Sequence, residues 1–193
     1  FGYSIVQLGN DLSDNIIHSA RIKNKHVIQC YFEPTFESAF ESNKEDIALV
    51  TLLQRLALKS NSVDVVVLHH SLEFESFPHE ILREVERILV AEGKLLIVLF
   101  NPYSLIGLWH YFLRIKSKLR PSKVIFPTQQ AWISTRRLDD WLSLLGFDAH
   151  KSASTFFRPP INNKAILSKL DFMESTGKRF WSAFAGIIVY RAI

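Results

Sequence analysis

Ser62 to Leu108, SVDVVVLHHSLEFESFPHEILREVERILVAEGKLLIVLFNPYSLIGL, reads as strand, loop, helix, turn and strand, with a polar aromatic loop at its exit. Val63 to Leu68 is β-branched and nearly continuous apart from Asp64, the pattern of a parallel strand covered on both faces. From Pro78 the period changes. Ile81, Leu82, Val85, Ile88 and Leu89 recur at three- and four-residue steps, with Glu80, Arg83, Glu84, Glu86 and Arg87 on the opposite face, which predicts an amphipathic helix. Pro78 stands at the entry, where a missing N–H is harmless, and Gly93 follows the end, where a left-handed cap is expected. Leu95 to Phe100 is then a second buried strand. Strand, crossover helix and strand within about thirty residues is the right-handed βαβ unit.

Ligands of open parallel sheets lie off the carboxyl ends of the strands. The residues after these two runs are therefore expected to line a pocket: His69, His70, Ser71, Leu72 and Glu73 after the first, and Asn101, Pro102 and Tyr103 after the second. The two histidines have two readings. One of them faces the pocket and binds an acceptor or takes a proton from it, a role suited to imidazole, with His70 as the candidate; or they finish the strand, one up and one down. Glu73 is expected to cap the coming helix or to hydrogen-bond a neighbouring loop.

Composition bounds the rest. A chain of 193 residues that is 48% hydrophobic and 22% charged, with mean hydropathy +0.08, suits one globular domain over residues 1–193. An apolar run begins almost at once at Ser4, so an upstream helix is expected before Phe1. The single Cys30 excludes an intrachain disulfide and suits a reducing compartment, and with no secretory signal in view the cytoplasm is the expected location. The apolar stretches Leu95 to Phe100 and Leu105 to Leu113 are too short, or too interrupted by His110, to span a bilayer. The histidines and Cys30 show no metal-ligand spacing, so no metal is expected. A net charge of +4 without a recognised motif makes nucleic acid a weak candidate partner.

The wording D-x-V-x-x-x-H-x-L-E-F from Asp64, P-H-x-x-L-R-E-V-E-R-x-L from Pro78, and G-x-L-x-I then F-N-P from Gly93 and Phe100 resembles the fourth to fifth strand of class I S-adenosylmethionine-dependent methyltransferases of the type 11 kind. Trp132 to Phe147 resembles the family's late helix ending in Gly-Phe, Gly186 to Ala192 its terminal antiparallel strand, and the opening GYSIVQLG its first strand. The resemblance implies an α/β, Rossmann-like sandwich: a mostly parallel twisted sheet, helices on both faces and an antiparallel last strand. It implies S-adenosylmethionine as cofactor and methyl transfer to an unidentified small acceptor, lipophilic or ring-bearing.

Carried residue by residue, the resemblance places the methionine part of the cofactor on the turn after the first strand, Gln7, Leu8, Gly9 and Asn10. The ribose would be held by Glu33 after a second strand at Lys25 to Phe32, the adenine edge by Leu53 and Gln54, and the methyl end by the loop from His69 and His70. A lid near residues 103–131 would cover the acceptor, with Asn101, Tyr103 and Trp109 as acceptor contacts. The family writes its glycine-rich turn roughly as G-x-G-x-G, whereas this chain has Gly9 alone, with Asn10 as a residue that tolerates the left-handed region. The usual acid of the adenine edge is also missing near Gln54. These departures leave a second reading open, a methyltransferase fold that serves as a binding or scaffold module without cofactor.

Residues 104–123 combine an apolar aromatic run with a basic end, and no acid occurs between Glu92 and Asp139. Such a segment suits a lid helix with a solvated charged end. It also allows peripheral contact with an anionic membrane, where each nearby Lys or Arg contributes on the order of 1 kcal/mol.

Overall fold

Val63–His69 lies at the centre of a seven-stranded sheet. The computed structural model describes residues 3–9, 17, 20–30, 47–51, 55–73, 75, 77–109, 111–112, 132–157, 177 and 181–193. In chain order the strands are β1 (Ser4–Gly9), β2 (Asn24–Cys30), β3 (Ile47–Thr51), β4 (Val63–His69), β5 (Leu89–Phe100), β6 (Ala149–Thr155) and β7 (Ile187–Ala192). They lie side by side as β3-β2-β1-β4-β5-β7-β6. The pairs among β1 to β5 are parallel, and β7 runs antiparallel to both of its neighbours. The expected parallel sheet with an antiparallel last strand is thus the observed one.

Alternation along the strands separates two apolar faces, because successive side chains point to opposite sides. Val6, Leu8, Ile28, Val66, Leu68 and Ile97 belong to one large core cluster. Ile5, Val27 and Val67 belong to a second, smaller one, completed by Ile17 and flanked by Ala20, Ile22, Val65 and Leu96. Helix α1 (Pro78–Ile88) sets Ile81, Leu82, Val85 and Ile88 into the large cluster, and helix α2 (Thr135–Leu144) adds Leu138 and Leu142 to the same side. Burying each of these side chains is worth about 1.5–3 kcal/mol, so α1 is held by its stripe rather than by its cap. Phe77 at its N-cap makes no side-chain capping bond; Pro78 in the first turn and Glu80 near the positive end of the helix dipole favour the start. Ser134 caps α2, its Oγ accepting the Arg137 N–H at 3.4 Å.

The turn between α1 and β5 departs from expectation. β5 begins at Leu89, directly after the helix, and Leu89 pairs with Val63 while Lys94 pairs with Val65, so extra residues bulge out of β5 between them. The left-handed residue of that bulge is Glu92, with φ 61°, and not Gly93. Gly93 is needed for a different reason, since a Cβ there would lie 2.8 Å from the Val90 carbonyl oxygen. Leu89, expected on the helix face, is accordingly a strand residue. The late helix begins at Thr135, three residues inside the expected boundary at Trp132. Of the expected second strand, the described part ends at Cys30, and residues 31–32 lie outside the described residues.

Candidate functional site

The parallel register brings two strand ends level. Gly9 is the Cα partner of Gln29 on one side and of His69 on the other, and His69 in turn is the partner of Val98. The carboxyl ends of β1 and β4 therefore open at the same height, and the loop 69–73 leaves from that point. Its conformation is built from backbone bonds outward. The His70 N–H donates to the Val98 carbonyl at 3.1 Å, extending the ladder by one residue, and His70 itself turns into the left-handed region at φ 49°. Ser71 is buried and its hydroxyl donates to the Leu8 carbonyl at 2.7 Å, sealing the loop to the end of β1.

Glu73 is fully buried. Its Oε1 accepts the Phe100 N–H at 2.6 Å and lies 3.2 Å from His70 Nδ1. An oxygen that accepts a backbone N–H offers a lone pair to its second neighbour as well, so Nδ1 of His70 is the donor to Glu73, and in the neutral imidazole Nε2 is the nitrogen with the lone pair. Nε2 has no partner among the described residues. The imidazole is also fixed by stacking, with its centroid 3.9 Å from that of Phe100 and the planes 20° apart; Trp132 stacks in turn on Phe100 at 5.7 Å. Of the two roles expected for Glu73, the structure shows the bond to a neighbouring segment, while the helix start is left without a side-chain cap. The second carboxylate oxygen, Oε2, is buried with no partner among the described residues.

The other strand end is a clamp. Asn101 is buried, its Nδ2 donates to the carbonyls of Ala183 at 2.7 Å and Ala185 at 2.9 Å, and its Oδ1 accepts the Tyr103 N–H at 3.0 Å. That side chain, expected to touch an acceptor, is spent on joining the end of β5 to the segment before β7. Ser104 continues the turn: its Oγ donates to the Asn101 carbonyl at 2.7 Å and accepts the Gly107 N–H at 3.1 Å. Residues 105–109 and 111–112 that follow are helical.

The remaining sequence-named residues fall as follows. Gln7 is buried and its Oε1 accepts the Ile17 N–H at 3.3 Å, on the face away from α1, and Leu8 is core. Gly9, His69 and His70 come together at the strand ends, whereas Tyr103 and Trp109 are exposed beyond the Asn101 turn. Asn10, Glu33, Leu53, Gln54 and the lid residues 113–131 lie outside the described residues. Trp132, in the sequence only the first residue of the expected late helix, joins the site by stacking on Phe100, a contact between distant parts of the chain that has no local signal. Among the described residues no group of three His, Cys, Asp or Glu is placed to hold a metal, and no helix is long and apolar enough to cross a membrane.

Residues 6–97 match the family described as a methyltransferase domain. A S-adenosylmethionine-dependent methyltransferase from Thermotoga maritima superposes with TM-score 0.67 at 20% identity, covering 100% of this chain and 82% of that one. One from Mesorhizobium loti gives TM-score 0.61 at 14% identity, over 99% of this chain and 90% of that one. The uncharacterized protein YafS of Escherichia coli (strain K12) is 37% identical over 107 residues, which is 55% of this chain and 41% of that protein, so the match spans less than half of that relative. S-adenosylmethionine is the cofactor that this family and fold imply. With a match to the methyltransferase-domain family over residues 6–97 and this strand order around it, the chain carries the class I S-adenosylmethionine-dependent methyltransferase fold.

Proposed function

We propose that this chain binds S-adenosylmethionine across the carboxyl ends of β1 and β4 and methylates a small acceptor. The observation that carries the reading is the level pairing of Gly9 with His69, beside a His70 ring fixed by Glu73 and Phe100. The residues present fit the methionine part of the cofactor: β1 ends on a residue without a side chain, which permits close approach to its backbone, and half-buried imidazoles stand opposite. By the family resemblance Asn10, Glu33, Leu53 and Gln54 would complete the ribose and adenine contacts.

When bound, the cofactor supplies an electrophilic methyl group, and the protein's share is positioning and exclusion of water. His70 Nε2 would take the proton of an acceptor hydroxyl or amine, and Glu73 would steady the resulting imidazolium through Nδ1. Asn101 acts on the acceptor side only through the turn it holds, which presents Tyr103 and, further on, Trp109. The exposed aromatic side chains there support an acceptor of lipophilic character.

Calorimetric titration with S-adenosylmethionine and S-adenosylhomocysteine tests the reading. Micromolar binding is expected, weakened at least about tenfold by Gly9→Val, a loss of about 1.4 kcal/mol. The alternative of a cofactor-free scaffold is favoured by two observations, the single glycine in the turn after β1 and the missing acid near Gln54. Absence of binding up to millimolar ligand, with the protein shown to be folded, would establish that alternative instead.

A further inference from the structure

The helix after the Asn101 turn is inside out. A surface helix normally turns its apolar stripe to the core. Here Ile106 and Gly107 face inward: Ile106 is buried, with its Cδ1 2.7 Å from where a Cβ on Gly186 would lie, and a Cβ on Gly107 would crowd the Pro102 carbonyl oxygen. That contact fixes which way the helix is rotated. Leu105, Leu108, Trp109 and Phe112, at the i, i+3, i+4, i+7 spacing of one helical face, are 42 to 57% exposed. Tyr103 and Tyr111 beside them are more exposed still. Phe184 belongs to the same end of the sheet, since Asn101 bonds the carbonyls on either side of it, and it too is exposed.

A contiguous outward apolar stripe on a water-facing helix marks a contact site. Its composition points to one kind of surface. Trp and Tyr carry an apolar body and a polar tip and concentrate where hydrocarbon meets headgroups. The charge agrees: from Gly93 to Leu138 the sequence holds eight Lys and Arg with no Asp or Glu, while the rest of the chain has 15 basic and 19 acidic residues. A positive middle on an otherwise negative chain is attracted to an anionic surface, and five of the eight basic residues, Arg114 to Lys123, follow the stripe directly in sequence.

We propose that the stripe Leu105, Leu108, Trp109 and Phe112 seats in the headgroup layer of an anionic bilayer, holding the strand-end opening towards the membrane. The inference rests on exposure and charge and stands whether or not the chain transfers methyl groups.

The test is co-sedimentation of the full chain with vesicles of phosphatidylcholine alone and of phosphatidylcholine and phosphatidylglycerol in equal parts. At about 0.1 M salt the protein is expected to pellet with the anionic vesicles at least about tenfold more than with the neutral ones. Raising the salt to about 1 M, which cuts the Debye length from about 10 to about 3 Å, should remove most of that difference. The double variant Leu108→Ser, Trp109→Ser changes only outward side chains, so its circular dichroism should match the parent while its partition falls about tenfold or more. Several outcomes overturn the proposal: no pelleting with either vesicle, equal pelleting with both, or a double variant that pellets like the parent. A concentration-dependent dimer abolished by the double variant, without vesicle binding, would assign the stripe to a second copy of this chain.

Discussion

Replacing Glu73 with alanine removes one oxygen that serves two donors, the Phe100 N–H at 2.6 Å and His70 Nδ1 at 3.2 Å. A partly buried backbone donor left without a partner costs about 1–3 kcal/mol, and the lost contact to the imidazole adds about 0.5–1.5 kcal/mol. The substitution also removes Oε2, which is buried without a partner among the described residues, and relieving that desolvation offsets about 1–2 kcal/mol. The balance is a loss of about 1.5 kcal/mol for Glu73→Ala. Glutamine keeps both the shape and the Oε1 acceptor, so Glu73→Gln should cost less than about 1 kcal/mol. Urea unfolding followed by circular dichroism measures both. With a slope of about 2 kcal/mol per molar urea, the alanine midpoint falls by about 0.75 M and the glutamine midpoint by less than about 0.5 M. Imidazole nitrogen shifts give a second readout: His70 should report a protonated Nδ1 in the parent and in Glu73→Gln, and a mixture of tautomers in Glu73→Ala. The account of Glu73 as a two-donor anchor fails if alanine lies within about 0.5 kcal/mol of the parent, or if glutamine is as damaging as alanine.

Four further outcomes are expected. Leu82→Ala, at a fully buried position on α1, should destabilise by about 2–5 kcal/mol in the same urea experiment, and a loss under about 1 kcal/mol would mean that α1 does not bury its stripe as described. Gly107→Ala crowds a Cβ against the Pro102 carbonyl oxygen, so the Asn101 turn must open; amide exchange at Gly107 and Leu108 should accelerate, and unchanged protection would count against the close packing. Burial, with help from Asp139, pushes the Tyr190 hydroxyl up to about 12. A raised folded value contributes stability below the unfolded pKa of about 10 that is lost as pH rises towards 12, so the advantage of the parent over Tyr190→Phe should shrink across that window, and a constant gap would refute the assignment. At the acid end, the hydrogen bond from Arg87 holds the Glu84 carboxyl below the usual glutamate range, opposed by partial burial. The parent should therefore exceed Glu84→Gln in stability above about pH 5, with the difference fading as pH falls through the lowered folded value.

The parts legible from sequence were those whose pattern is set locally. β4, α1 and the second half of β5 announce themselves because a strand covered on both faces is continuously apolar and a helix on one face repeats every three to four residues. β6 gave no such signal. Its residues AHKSAST are mostly exposed, and only pairing with β7 makes them a strand. The bulge at Glu92 was misread as a glycine cap because its conformation is set by the register of β5 against β4, which no local pattern encodes. At the candidate site the His70 and Glu73 spacing was visible, but the bond that fixes Glu73 goes to Phe100, whose position depends on the sheet. Asn101 was named for following a strand, and its engagement with residues 183–185 depends on a segment far along the chain.

β7 is the last of the described strands in chain order, yet it is laid between β5 and β6. During synthesis β5 emerges and finds β4, while its other edge, a run as apolar as LLIVLF, stays open until Ile187–Ala192 arrives to pair Leu95 with Ala192 and Phe100 with Ile187. β6 waits for the same residues, since its sheet partner is β7. Closure of such distant pairs is slow, and an open apolar edge in the meantime invites pairing with other chains. Losing those six residues would therefore do more than trim the sheet: it would release β6 and leave β5 as a permanent template for aggregation.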